Sequence, residues 1–319
     1  MSRAPAAVLL AAAAAAGCGG SADHPSRSDR WLPLSSATLE RTEVSAARIG
    51  RHVYVVGGFE KRSGATTRAV ERYDLRGDSW KRVRSLPLGV NHGTAVAYRG
   101  KLYVHGGYRA RRDLSSATAR FYCYDPRRNR WRRLPDSPTP RAAHAAAVIG
   151  HRLYVAGGSN AHGSLRSLDV YNFQRRRWRR GPSFSGPARN HTTGAASRGR
   201  FFVIAGRDAF NVRAVDRYDP RRRRWKRMRP IPTARGGIAS ARLPDGRIVV
   251  LGGERLGGTT IRPVEVYSPG RNRWRSLPGM LTPRHGLGGV SFGRRVYAIE
   301  GGPQPGFHFS DAIEYLTVP

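Results

Sequence analysis

Residues 102–135 read LYVHGGYRARRDLSSATARFYCYDPRRNRWRRLP. A short β-branched and aromatic run ends in a glycine pair, a tyrosine follows at Tyr124, and Trp131 stands seven residues beyond it. Read alone, this is a strand, a loop and a second strand entering a tight turn. It is not alone. The same strand-plus-glycine recurs as VYVVGG (53–58), LYVAGG (153–158), FFVIAGR (201–207), IVVLGG (248–253) and VYAIEGG (296–302), a period of 46 to 51 residues. Repeats of that length mean an array of identical supersecondary units. Tyrosines follow at Tyr73, Tyr171, Tyr218, Tyr267 and Tyr315, and tryptophans at Trp80, Trp178, Trp225 and Trp274.

The remaining tryptophan sets the topology. Tyr315 has no tryptophan after it, whereas Trp31-Leu32-Pro33 has no tyrosine before it. Trp31 is therefore expected to supply the outermost strand of the last unit, pairing the two ends of the chain and removing the open sheet edges of a linear array.

Paired glycine, tyrosine and tryptophan at these offsets resemble kelch repeats. That resemblance implies an all-β, six-bladed β-propeller over 31–319, its ring closed by an N-terminal outer strand that completes the last blade. Glycine, tyrosine and tryptophan are read as scaffold: glycine for positive φ and close backbone approach, the aromatics as wedges between blades. Blade 4 is read as losing its second glycine, at Arg207. Glu300 and His105 are read as replacing the apolar residue before the glycine pair.

Ahead of the array, Ala6 to Ala16 is an unbroken apolar run, too short to span a bilayer but suited to a signal-peptide core. It ends in Gly17-Cys18, which resembles a bacterial lipobox with alanine in place of the usual leucine. Residues 1–17 are accordingly expected to be a lipoprotein-like signal peptide, Cys18 the lipidated residue, and 18–30 a flexible polar tether. That predicts an extracytoplasmic, lipid-anchored protein of the bacterial envelope, or otherwise a secreted one. With only Cys18 and Cys123 present, no disulfide framework and no zinc-type spacing is available, and neither a metal nor a cofactor is expected.

The chain carries 57 Lys plus Arg against 21 Asp plus Glu, a formal charge of +36, and all but four of the cations are arginine. Propeller loops alternate between two faces. The turns between strands 3 and 4 hold Arg76, Arg127, Arg128, Arg130, Arg175, Arg176, Arg177, Arg221 to Arg224, Arg271 and Arg273. Such a face would attract polyanions, although a general compositional bias toward arginine explains it as well. Nucleic acid is not an expected partner, because no nucleic-acid-binding motif is present.

The opposite face carries the residues that lead into the innermost strands. Arg41, Asn91, Arg141, Arg189, Arg235 and Arg284 are read as equivalent, with His92, His144, His191 and His285 following them. Kelch propellers resemble one another in binding partners at this channel mouth. The candidate ligand-binding set is therefore Arg41, His92, Arg141, His144, Arg189, His191, Arg235, Arg284 and His285, joined by Glu254 and Glu300, with a protein or an acidic glycan as partner. This reading favours a non-enzymatic binding module. The alternative is a carbohydrate-active kelch enzyme of the sialic-acid mutarotase kind, or less readily a copper oxidase resembling galactose oxidase, for which Cys123 beside Tyr122 and Tyr124 is the only hint.

Overall fold

Each period folds into one four-stranded antiparallel sheet. The computed structural model of the chain describes residues 1, 30–110 and 113–319, so all but the first residue of the expected signal peptide, Cys18 and nearly all of the expected tether lie outside the described residues. Blade 1 consists of Ser45–Ile49, His52–Val56, Val70–Asp74 and Ser79–Arg82, in that order from the axis outward. Blades 2 to 5 repeat this order and begin at Thr94, Ala145, Thr193 and Ala239. Blade 6 takes Gly288–Phe292, Arg295–Ile299 and Ile313–Thr317, then Leu32–Pro33 as its outermost strand. The innermost strands pack side by side in cyclic order, the last against the first.

The seven-residue spacing of tyrosine and tryptophan is a hairpin register. Tyr73 faces Trp80, Tyr124 faces Trp131, and the next three blades do the same, with ring centroids 4.7 to 5.1 Å apart. Each indole N–H then reaches into the preceding blade. Trp80 donates to the carbonyl of Ser35, Trp131 to Arg84, Trp178 to Pro135, Trp225 to Pro182, Trp274 to Arg229 and Trp31 to Pro278. Every acceptor lies four residues after the previous tryptophan, so the six bonds form a closed cycle and Trp31 is a full member of it.

Blade 6 departs from the pattern by one residue. Val296, the counterpart of Val53, pairs with Leu316, whereas Val53 pairs with Tyr73. Leu316, fully buried, thus takes the tyrosine position, and Tyr315 instead pairs across to Leu32.

A second cycle runs near the axis. The N–H of Gly58, Gly107, Gly158, Gly206, Gly253 and Gly301 each donates, at 2.9 Å, to the carbonyl at the start of the next blade: Val90, Arg141, Arg189, Arg235, Arg284 and Arg41. Three of the sequence alignments shift accordingly. Val90, not Asn91, is the counterpart of the arginines. Blade 4 loses its first glycine, replaced by Ala205, and keeps Gly206. Glu300 likewise replaces a first glycine rather than the residue before it. All such first positions are left-handed, with φ 63° at Gly57, 49° at Ala205 and 54° at Glu300, and non-glycine residues tolerate this at a cost of about 1–2 kcal/mol each.

Candidate functional site

The six arginine-type positions do not line the channel mouth. Arg41, Arg141, Arg189, Arg235 and Arg284 are fully buried, and each guanidinium is engaged by a carboxylate two residues before the tyrosine position of its own blade. The pairs are Arg41–Glu71 at 2.8 Å, Arg141–Asp169 at 2.8 Å, Arg189–Asp216 at 2.8 Å, Arg235–Glu265 at 2.6 Å and Arg284–Glu314 at 3.0 Å. Several also donate to the first glycine-position carbonyl, as Arg141 does to Gly157 at 2.7 Å and Arg189 to Ala205 at 2.9 Å. These arginines staple innermost to third strands. Blade 2 has Val90 and Tyr122 in the two places, an apolar pair substituted for an ionic one.

Glu300 is a buried member of this layer. It shares Arg41 with Glu71, at 2.7 Å. Burial pushes its carboxyl up to about 7, with Arg41 opposing the rise. His144 also lies in the interior, 3.0 Å from His105 and 2.8 Å from the Thr94 hydroxyl. Burial pushes His105 down to about 3 and His144 well below its ordinary value, so both are neutral core residues. Cys123 packs between blades 2 and 3 among Phe121, Leu153 and Tyr171, as core filler.

What does line the mouth is the next ring of residues. Two positions beyond each arginine position stand Glu43, His92, Ala143, His191, Gly237 and Gly286, all with left-handed φ between 47° and 69°. Their backbones bond around the axis: His92 N–H to Glu43 C=O, Ala143 N–H to His92 C=O, Gly237 N–H to His191 C=O and Gly286 N–H to Gly237 C=O. The narrow channel below is lined by small residues, among them Ser45, Ala46, Ala95, Ala146, Gly194 and Ser240. A methyl group at Gly194 would stand 2.7 Å from the Ala146 amide nitrogen, so the lining must be small for six strands to converge.

Above the ring is a recess of about 240 Å³, walled by Phe59, Tyr108, Arg207, Glu254, His285 and Phe307 and floored by Glu43, His92 and His191. The floor side chains converge. His92 Nε2 lies 3.0 Å from Glu43 Oε2 and 3.1 Å from His191 Nε2. His285 Nδ1 stands 3.2 Å from the other Glu43 oxygen, and Arg207 pairs with Glu254.

Burial alone would raise the Glu43 carboxyl, but His92, His285 and His191 outweigh it and hold the group well below the ordinary carboxylate range. Burial lowers His92 and His191, with Arg207 adding to the fall in both and Glu43 opposing it. For His285 burial acts downward too, and the hydrogen bond to Glu43 reverses the balance and raises it.

Of the sequence candidates, the structure brings His92, His191, His285 and Glu254 together and buries the others in blade interiors. It adds Glu43, Arg207, Phe59 and Tyr108. The signal for Glu43 was its repeat position, shared with His92 and His191. Beside the recess, the loops after the glycines of blades 4 and 5 are tied together by Asn211, which accepts from the Leu256 amide at 2.9 Å and donates to the Glu254 carbonyl at 2.8 Å. This tie presents Phe210 and Leu256 to solvent, 79% and 52% exposed.

On the opposite face the arginines of the strand 3–4 turns are exposed. Ion pairs there involve their neighbours, among them Arg51–Asp74, Lys101–Asp125, Arg200–Asp219 and Arg247–Asp245.

Residues 43–253 match the KLHDC2/KLHL20/DRC7 Kelch-repeats domain, and residues 239–281 match the Kelch motif. The chain is 31% identical over 140 residues to Kelch-like protein terF of Aspergillus terreus, a stretch covering 40% of this chain and 30% of that protein. It is 33% identical over 150 residues to Kelch-like protein 33 of Homo sapiens, covering 46% and 27%. Similarity to alpha-scruin of Limulus polyphemus is 26% over 145 residues, covering 44% and 16%. The matched stretches thus span less than a third of each of these relatives.

Proposed function

Because the chain belongs to the kelch-repeat family, we propose that it is a non-enzymatic binding module, anchored to the cell envelope through Cys18, which takes a protein partner on its channel-mouth face. The observation that carries this reading is the exposure of Phe210 and Leu256 on two loops tied together by Asn211. Two large apolar side chains are held outward by loops fixed to each other, beside a concave recess with aromatic walls. Exposed apolar anchors next to a pocket are the usual make-up of a protein-binding surface. An acidic glycan is the second reading, supported by Arg207 in the wall of the recess, whose guanidinium offers donors to a carboxylate.

The test is site-specific photocrosslinking in cells, with the crosslinker at Phe210 or, on the opposite face, at Arg223. A discrete adduct from position 210, absent from position 223 and abolished by Leu256→Ser, supports the assignment. Adducts from position 223 only would overturn it. Acidic sugars retained on a glycan array, with no adduct from position 210, would favour the second reading.

A further inference from the structure

We propose that Glu43, His92 and His191 form a three-ligand site for a divalent metal ion, best suited to zinc, on the floor of the channel-mouth recess. Their ligand atoms lie within 4.8 Å of one another, and the two tightest separations are 3.0 and 3.1 Å. Donor atoms on a tetrahedral zinc, ~2.0–2.2 Å from the metal, sit about 3.3 Å apart. Two of the three separations therefore already match an ion's coordination edges to within tenths of an ångström, and closing the third, between Glu43 and His191, asks for a side-chain adjustment from within 4.8 Å.

Hydrogen bonding fixes which ring nitrogens are available. His92 Nδ1 is 2.6 Å from Asn91 Oδ1, and His191 Nδ1 is bonded to Asn190 Oδ1. The Asn91 amide nitrogen donates to the Tyr108 carbonyl at 3.2 Å and to Thr66 Oγ1 at 2.8 Å, which turns its oxygen toward His92. Asn190 Nδ2 donates to Ser164 Oγ at 2.7 Å. An amide oxygen only accepts, so both imidazoles carry a proton on Nδ1 and direct Nε2 at the same point. A carbonyl behind each histidine is the support that metal-bound histidines show.

With each imidazole proton on Nδ1, His92 Nε2, His191 Nε2 and Glu43 Oε2 converge as three acceptors with no donor between them. A divalent cation satisfies all three at once. Glu43 is held for the same role, its far oxygen accepting from His285 Nδ1. The three ligands come from blades 1, 2 and 4 at one repeat position, on backbone already fixed by the bonds around the axis, so little ordering remains to be done on binding. Three protein ligands leave a tetrahedral ion one open position. The same residues floor the recess, so that position faces it, open to water or to a partner's carboxylate.

The experiment uses tag-free protein stripped with a chelator and titrated with Co²⁺, then with Zn²⁺. One Co²⁺ per chain is expected, with the intense visible bands of a four-coordinate ion, displaced by Zn²⁺. Glu43→Gln and His191→Ala should weaken binding at least 100-fold, Asn190→Ala by about 10- to 100-fold, and His162→Ala, an exposed histidine elsewhere, not at all. Absence of binding by the wild-type protein overturns the site. So does binding that is unchanged in Glu43→Gln and His191→Ala with intact circular dichroism. If those two variants fail to fold, an unweakened Asn190→Ala overturns it instead. Partner binding that persists without metal leaves the proposed function standing while the metal titration decides this site on its own.

Discussion

Glu300 and Arg41 are 259 residues apart in sequence and 2.7 Å apart in the fold, both fully buried, so the last blade and the first share one ion pair at the ring's seam. Glu71 already neutralises Arg41 from within blade 1. A second carboxylate on the same guanidinium leaves a net negative charge in the interior, and Glu300 Oε2 has no hydrogen-bond partner. Glu300 is thus held in place by ring geometry more than by electrostatics.

That arrangement gives stability a pH dependence of known sign. The folded-state value of Glu300 is raised to about 7 from 4.5. The folded chain therefore binds more protons than the unfolded one between these values, and stability falls as pH rises through the window. Glu300→Gln keeps the shape and removes the titration. Relative to wild type, it is expected to be nearly neutral at pH 5 and stabilising at pH 8, by on the order of 2 kcal/mol. Urea unfolding at the two pH values checks this; equal effects at both would show that Glu300 ionises without penalty.

Arg141→Ala tests whether the buried arginines are staples. The substitution leaves Asp169 as an unpaired charge in the interior, a loss of about 3–5 kcal/mol. The double variant Arg141→Ala/Asp169→Ala should recover part of it. Ligand binding per folded molecule should be unaffected by either change. A lost ligand with unchanged melting temperature would return Arg141 to the binding surface.

The period, the blade number and the role of Trp31 were legible because each rests on a residue type that no other side chain replaces: a buried indole with its N–H satisfied, or a glycine against a neighbouring backbone. The offsets were misread where the fold needs only a conformation. Ala205 and Glu300 adopt the left-handed φ of the first glycine, so counting from the visible glycines slips by one residue in blades 4 and 6. The arginines looked like ligands because a chain rich in exposed arginine gives no sign of which are buried. Their burial follows from carboxylates on the third strand, a pairing visible only once register is fixed. For the mouth, His92 and His191 were found by residue type, whereas Glu43 required knowing that all three share one ring.

Removal of residues 31–36 is expected to destabilise the whole propeller. It takes away the outermost strand of blade 6, the buried Trp31 and its bond to Pro278, and the Ser35 carbonyl that accepts from Trp80. Loss of the indole alone is worth about 3–5 kcal/mol. Removal of 19–28, read from the sequence as tether, should change the melting temperature little. Equal melting of the two truncations would sink the closure role of Trp31.

Anchoring through Cys18 makes a fractionation prediction. Replacing Cys18 by Ser should move the protein from the membrane fraction to the soluble exported fraction and abolish the mass added by acyl chains. An unchanged distribution, with no acylated species in the wild type, would leave the chain secreted.

The two faces should respond to salt in opposite ways. Contacts between exposed arginines and a polyanion are many, weak and screened, so they fade as ionic strength passes the level where the Debye length is about 8 Å. Phe210 and Leu256 act by removing apolar surface from water, which salt does not screen. Changing Arg221 to Arg224 into glutamine should therefore lower the salt at which the protein leaves a heparin column and spare the partner crosslinked from position 210. Phe210→Ser with Leu256→Ser should do the reverse, and at raised salt the partner should stay bound after heparin has let go. A partner lost with the arginine change but indifferent to Phe210 and Leu256 would place the binding surface on the basic face.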